Sequence, residues 1–144
     1  MKPTRQEKKE VIRMMNKVEK NVYRLLRCWR RLYVEKEFFE SRRDLSQAQK
    51  DDRMEQLSRT LEMLEEWMRL LTADERYVIK RHLVDEIDWS RIVYEYNNKL
   101  LRPESKSRSS LRRMQSRAIE KMAREAHGVE WEKVAPMGWL GLQA

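Results

Sequence analysis

"SRSSLRRMQSRAIEKMAR", Ser107 to Arg124, is the stretch on which the reading of this chain turns. It holds five arginines and a lysine against one glutamate. Leu111, Met114, Ala118, Ile119 and Met122 recur every three or four residues, which is one face of an α-helix. With that set turned inward, Arg108, Ser109, Arg112, Arg113 and Ser116 reach partly or wholly outward. His127 and Gly128 stop the helix. Such a helix is either well solvated or built for a nucleic-acid groove.

The residues before it favour the groove. In "LTADERYVIKRHLVDEIDWSRIVYEYNNKLL", Thr72 followed by Glu75 is a capping box, the start signal of a helix with Tyr77, Val78, Ile79 and Leu83 on its apolar side. Asp88 is a second cap, opening a short helix that carries Trp89, Ile92, Val93 and Tyr96. Pro103 disfavours helix at Arg102, and Asn97, Asn98 and Ser105 are turn formers. Short helices, a turn and a longer basic helix make the helix-turn-helix plan, whose last helix offers its N-terminal residues to the major groove. The expected DNA-binding set is Lys106, Ser107, Arg108, Ser109, Arg112, Arg113, Ser116 and Arg117. Arg117 and Arg124 are placed at the DNA backbone or in solvent alone. Arg124 and Lys121 also suit the negative end of the helix dipole.

Further out, residues 6–40 are predicted to be one long helix. Val11, Met15, Val18, Val22, Leu25, Trp29 and Leu32 alternate at four and three, a heptad seam that Leu26 and Tyr33 broaden. A second helix is predicted over 52–71, capped by Asp51 or Asp52, with Met54, Leu57, Leu61, Leu64, Met68 and Leu71 on one side. The two fold back as a hairpin or pair between chains. The seam residues, with Leu57, Leu61 and Leu64, are the expected oligomerisation surface, and a homodimer is the expected state. The last stretch, "GVEWEKVAPMGWLGLQA", carries Trp131, Val134, Met137, Trp139, Leu140 and Leu142. It is too apolar for a free tether, and is expected to fold back rather than bind a partner.

Composition agrees. The 144 residues contain three glycines and three prolines, with none between Thr4 and Leu101, so a folded chain is mostly helical. The net charge of +8 is split: residues 1–43 carry 14 basic and 6 acidic groups, 44–98 carry 8 and 13, and 99–124 carry 9 and 2. Two basic blocks around an acidic one point to a polyanionic partner. Cys28 is alone, and Cys28, His82 and His127 are too few for a typical zinc site. No glycine-rich phosphate loop occurs, and the carboxylates of "LEEW" and "VDEID" read as polar helix faces. No enzyme activity, metal or cofactor is expected. The apolar runs are too short for a membrane span or signal peptide, and a cytoplasmic setting in a bacterial host is expected.

The fold class expected is therefore all-α, in three parts: residues 1–70 as helical hairpin or coiled coil, 71–127 as a helix-turn-helix unit, and 128–144 as an apolar tail. Residues 70 to 124 resemble region four of bacterial sigma factors. Leu71, Glu75 and Arg76 match its start, and Trp89 and Ile92 its short helix. Ser107, Leu111, Arg117, Ala118, Lys121 and Met122 match the serine-led helix with its arginine–alanine–apolar–x–lysine–apolar ending. The match departs at "NNKLLRPESK", which is longer than the usual turn and lacks glycine. The whole chain resembles the small phage late-gene transcriptional activators of the RinA and ArpU type. That resemblance implies binding of double-stranded DNA at a promoter, contact with RNA polymerase, and Lys106, Arg108, Ser109, Arg112 and Arg113 facing DNA. The other readings are a phage small-terminase-like packaging protein forming a ring, and a helical protein–protein adaptor.

Overall fold

The computed structural model describes residues 15–100 and 102–134. Five α-helices occur in it: α1 (Lys17–Ser41), α2 (Gln47–Arg69), α3 (Ala73–Ile79), α4 (Trp89–Asn98) and α5 (Arg108–Glu125). A π-helical turn, Lys80–Val84, prolongs α3, and short 3-10 turns at Ala126–Gly128 and Trp131–Lys133 follow α5. The fold is all-α among the described residues, and none of the described helices is long and apolar enough to cross a membrane.

α1 begins later than its periodicity predicts. Asn16 is extended, and its side chain accepts from the Glu19 N–H at 2.8 Å. A side-chain acceptor at that point relieves an orphan donor of the first turn, so the helix starts cleanly at Lys17. Met15 therefore precedes the helix, though it still packs on the core. Val11 lies outside the described residues.

The connection to α2 forms without glycine or proline. Arg42 leaves the helical region at ψ 134 and pairs with Asp44 at 2.9 and 2.5 Å. Its guanidinium lies 5.3 and 5.6 Å from the Phe38 and Phe39 ring centres. Ser46 and Gln49 then form a capping box, so α2 starts at Gln47, five residues before the start expected at Asp52. The sequence carries that signal as Ser-x-x-Gln; Asp51 and Asp52 sit inside the helix. α1 and α2 lie antiparallel, with Tyr33 donating to Glu65 at 3.0 Å and Arg53 over Phe39 near the tip.

Two apolar cores result. The larger joins Val22, Leu25, Leu26 and Leu32 of α1 to Leu57, Leu61, Leu64 and Trp67 of α2. It also takes in Ile79 and Leu83, then Ala118, Ile119 and Met122 of α5, and Ala126, Trp131 and Val134. Trp131 lies 6.4 Å from Trp67, and Gln56 donates to the Lys133 carbonyl at 3.2 Å. The tail thus folds back as far as Val134; Met137, Trp139, Leu140 and Leu142 lie outside the described residues. The smaller core holds Val78, Trp89, Ile92, Tyr96 and Leu111.

This arrangement bears on two expectations. The seam residues Val22, Leu25 and Leu32, with Leu57, Leu61 and Leu64, are 0–4 % exposed in a single chain, and Val18 and Trp29 are half-buried on the same core. A leucine covered by its own chain has no apolar area left to bury against a second copy. The described residues of the expected oligomerisation surface pack on the chain's own core. The hairpin core also reaches past residue 70, since the second half of α5 is built into it.

Candidate nucleic-acid interface

The start signals at Thr72 and Asp88 are used, and Ser107 adds a third cap. Thr72 accepts from Glu75 N–H while the Glu75 carboxylate accepts from Thr72 N–H. Asp88 caps α4 through the Arg91 N–H, and Ser107 caps α5 through the Ser110 N–H at 3.1 Å. Each cap meets donors that the first turn cannot pair itself, and so sets where the helix begins.

The turn between α4 and α5 has no glycine, and side chains hold it instead. Asn97 donates to the Lys106 carbonyl at 2.9 Å and accepts from the Lys106 N–H at 2.8 Å. That two-bond clamp fixes the backbone one residue before the Ser107 cap. Arg102 pairs with Asp74 and lies 6.0 Å from the centre of the Tyr96 ring, while Tyr96 donates to Asp74 at 3.2 Å. The clamp was missed in sequence, where Asn97 reads only as a turn former; an asparagine side chain can equally serve as a backbone mimic.

α4 is anchored on α3 by charge. The Glu95 carboxylate accepts from Tyr77 at 3.0 Å, from Arg81 at 3.0 Å and from Arg91 at 3.0 Å. Burial pushes its pKa up, and those three donors more than reverse the effect, so it lies below the ordinary glutamate value. α5 is tied to α3 by Lys121, which donates to Glu75 at 2.7 Å. Burial raises the Glu75 pKa too, and the Lys121 and Thr72 donors bring it below the ordinary value.

Against this support the expected DNA-binding residues fall into two groups. Ser109, Arg113, Ser116 and Arg117 are exposed on the outer face of α5. Neither Arg113 nor Arg117 pairs with a described carboxylate. Arg108 and Arg112 are half-buried and lean on α4: Arg108 donates to the Ser90 hydroxyl at 2.5 Å, and the Arg112 guanidinium lies 6.0 Å from the Trp89 ring centre. Trp89 is stacked on His82 at 4.0 Å, and His82 Nδ1 meets Gln115 Oε1 of α5 at 2.6 Å. Arg112 is thereby pre-positioned by a packed layer rather than swinging free. Lys106 contributes a clamped backbone, and Ser107 is spent as the cap.

The outward side of α4 adds Ser90, Arg91 and Tyr94, none of them in the expected set; Tyr94 is 58 % exposed. Their spacing along one face was the available signal. No carboxylate occurs on α5 before Glu120, so the first three turns present cationic and hydroxyl groups only. Such a surface offers charge-assisted hydrogen bonds to phosphate and forked donors to base edges.

The remaining titratable candidates are structural. In "VDEID", Asp85 accepts from Arg30 at 3.1 Å, Lys80 at 3.1 Å and Arg81 at 3.3 Å. Glu86 pairs with Arg27, and Asp88 is a cap. Among the described residues no group of three or more His, Cys, Asp or Glu side chains could hold a metal ion. Cys28 is half-buried against the larger core, and burial pushes its thiol up.

The chain matches no family model, no curated protein and no solved structure.

Proposed function

We propose that this chain is a sequence-specific DNA-binding regulator of transcription. α5 enters the major groove of double-stranded DNA, and α4 crosses the backbone beside it, as in a helix-turn-helix. The observation that carries this reading is the division of labour on α5. Leu111, Ala118, Ile119 and Met122 lock its inner face, while an outer face without a carboxylate before Glu120 offers Arg113 and Arg117, which meet no described carboxylate, and Arg108 and Arg112 braced on α4. The ion pair between Glu75 and Lys121 joins two positions on which the resemblance to sigma region four rests, and it supports that resemblance. By that likeness the regulator activates phage late genes and meets RNA polymerase at the promoter. Because the described part of the heptad seam is covered by the chain's own helices, a homodimer or a packaging ring would use another surface.

The test is fluorescence anisotropy against duplexes selected from a random pool. Affinity is expected to fall steeply with salt, the slope of log K against log salt being about −0.9 per neutralised phosphate. Arg113→Ala with Arg117→Ala, neither of which holds the fold together, is expected to weaken the selected site, Arg113 through base discrimination and Arg117 through phosphate contact alone. Each lost base contact lowers discrimination by about 1–3 kcal/mol, roughly 5- to 150-fold. Unchanged preference in that double variant, with intact helicity, overturns the assignment of α5.

A further inference from the structure

Beyond α5 the chain returns to the hairpin with a definite direction. Trp131 lies 6.4 Å from Trp67, near the end of α2. Two residues on, the Lys133 carbonyl accepts from Gln56, well back along the same helix, at 3.2 Å. Successive residues therefore run antiparallel to α2, toward the tip of the hairpin. Val134 is buried on the larger core and leaves in extended backbone, at φ −79° and ψ 129°. Pro136 disfavours helix at Ala135, which favours the same extended course one residue further.

Ahead on that course is an open groove of about 320 Å³. Phe39 of α1 and Leu45 of the connection give it apolar surface, and Gln49, Asp52, Arg53 and Gln56 of α2 complete it. Gln56 is thus both the tether of Lys133 and a wall of the groove. Phe39 is half-buried, with the Arg53 guanidinium 5.4 Å from its ring centre. Leu45 is half-buried and belongs to neither core. Bound organic groups occupy spaces of ~300–1,000 Å³, so this one suits a side chain or two rather than another helix.

The residues that follow Val134 fit in reach and in chemistry. From Gln56 back to Gln49 is about 10 Å at ~1.5 Å per residue. Extended chain advances ~3.3 Å per residue, so Met137 reaches about 10 Å beyond Val134 and Trp139 about 16 Å. Residues 135–144 carry no charge and include Met137, Trp139, Leu140 and Leu142. An indole gains from an aromatic neighbour and from a guanidinium, and Phe39 and Arg53 supply both. Because the segment is tethered at its start, it meets the groove at an effective concentration on the order of mM, which favours it over a separate chain.

We propose that this groove binds residues 137–142 of the same chain, with Trp139 seated against Phe39 and Leu45. The contact is independent of the DNA-binding reading above. It closes the tip of the hairpin and takes out of water a segment that would otherwise be an association site. The same segment exchanged from a second copy is the competing occupant.

The experiment labels the full chain with fluorotryptophan and identifies the Trp139 fluorine signal as the one missing from Trp139→Phe. That signal is expected to show little solvent isotope shift. Leu45→Ser, which touches neither core, is expected to move it to the position of an exposed tryptophan while Trp67 and Trp89 stay in place. Nuclear Overhauser contacts from the Trp139 ring to Phe39 and Leu45 decide the same point without a substitution, should Leu45→Ser lower helicity. Mixing isotope-labelled with unlabelled copies separates the two occupants. Contacts within one copy support the proposal, and contacts only between copies overturn it in favour of exchanged segments. A Trp139 signal already exposed in the parent, with no contact to Phe39 or Leu45, also overturns it.

Discussion

The two cores of this molecule differ in what they ask of α5. In the hairpin core, helix meets helix through leucines, and α5 contributes Ala118, Ile119 and Met122 as one more apolar wall. In the smaller core, five buried side chains are surrounded by ions and hydrogen bonds: Glu95 with Arg81 and Arg91, Asp74 with Arg102 and Tyr96, and His82 with Gln115. Area dominates around the second half of α5, which Lys121 also ties to Glu75, and polar contacts dominate around the first half, where Leu111 is the one fully buried apolar side chain. Apolar burial is strong but non-directional, whereas a hydrogen-bonded network sets angles. The end proposed to meet base edges is the end where polar contacts dominate.

The comparison breaks most visibly at the larger core. Leu64→Ala removes a fully buried side chain and is expected to cost about 2–5 kcal/mol, read from urea unfolding by circular dichroism. Because α5 is shared, α4 and α5 should lose amide-exchange protection together with α1 and α2. Exchange that leaves α4 and α5 protected would show two independent units.

A smaller effect is expected at Glu95. Glu95→Gln keeps the shape but weakens three donors' hold, at about 1–3 kcal/mol, since hydrogen bonds to charged groups are worth roughly that much and Arg91 is well exposed. Because the folded-state pKa lies below the ordinary 4.5, this contribution is fully present above about pH 4.5. It is lost as pH falls through the depressed folded value. The unfolding free energy of the parent should therefore drop more steeply below pH 4.5 than that of the variant. Parallel curves would remove Glu95 as the anchor of α4.

The smallest effect lies at the α5 cap. Ser107→Ala is expected to cost about 1 kcal/mol and to loosen the first turn alone, seen as faster exchange at the Ser109 and Ser110 amides. Equal loss at Met122 would mean that the two halves of α5 are not separately held.

Much of this was legible in the chain. The caps at Thr72, Asp88 and Ser107, the inward faces of α4 and α5 and the apolar stripes of α1 and α2 follow from local rules. Three things were not. The start of α2 depended on choosing Ser46 over two nearby aspartates that could cap equally well. The glycine-free turn needed Asn97 to find Lys106 nine residues on. Arg108 and Arg112, partly or wholly outward by periodicity, are half-buried because α4 lies against them, and a helical wheel does not name the neighbouring helix.

What the sequence alone determined is that the chain is helical, where most of its helices begin and which sides they bury. Those depend on spacings of three to four residues and on side chains within reach of their own backbone. Only the tertiary structure decided whose core the heptad seam belongs to, and that α5 serves two cores at once. A stripe of leucines states that it must be covered and carries no address for what covers it. The answer came from residues more than thirty positions apart, brought together because burial is paid for by any apolar face that fits.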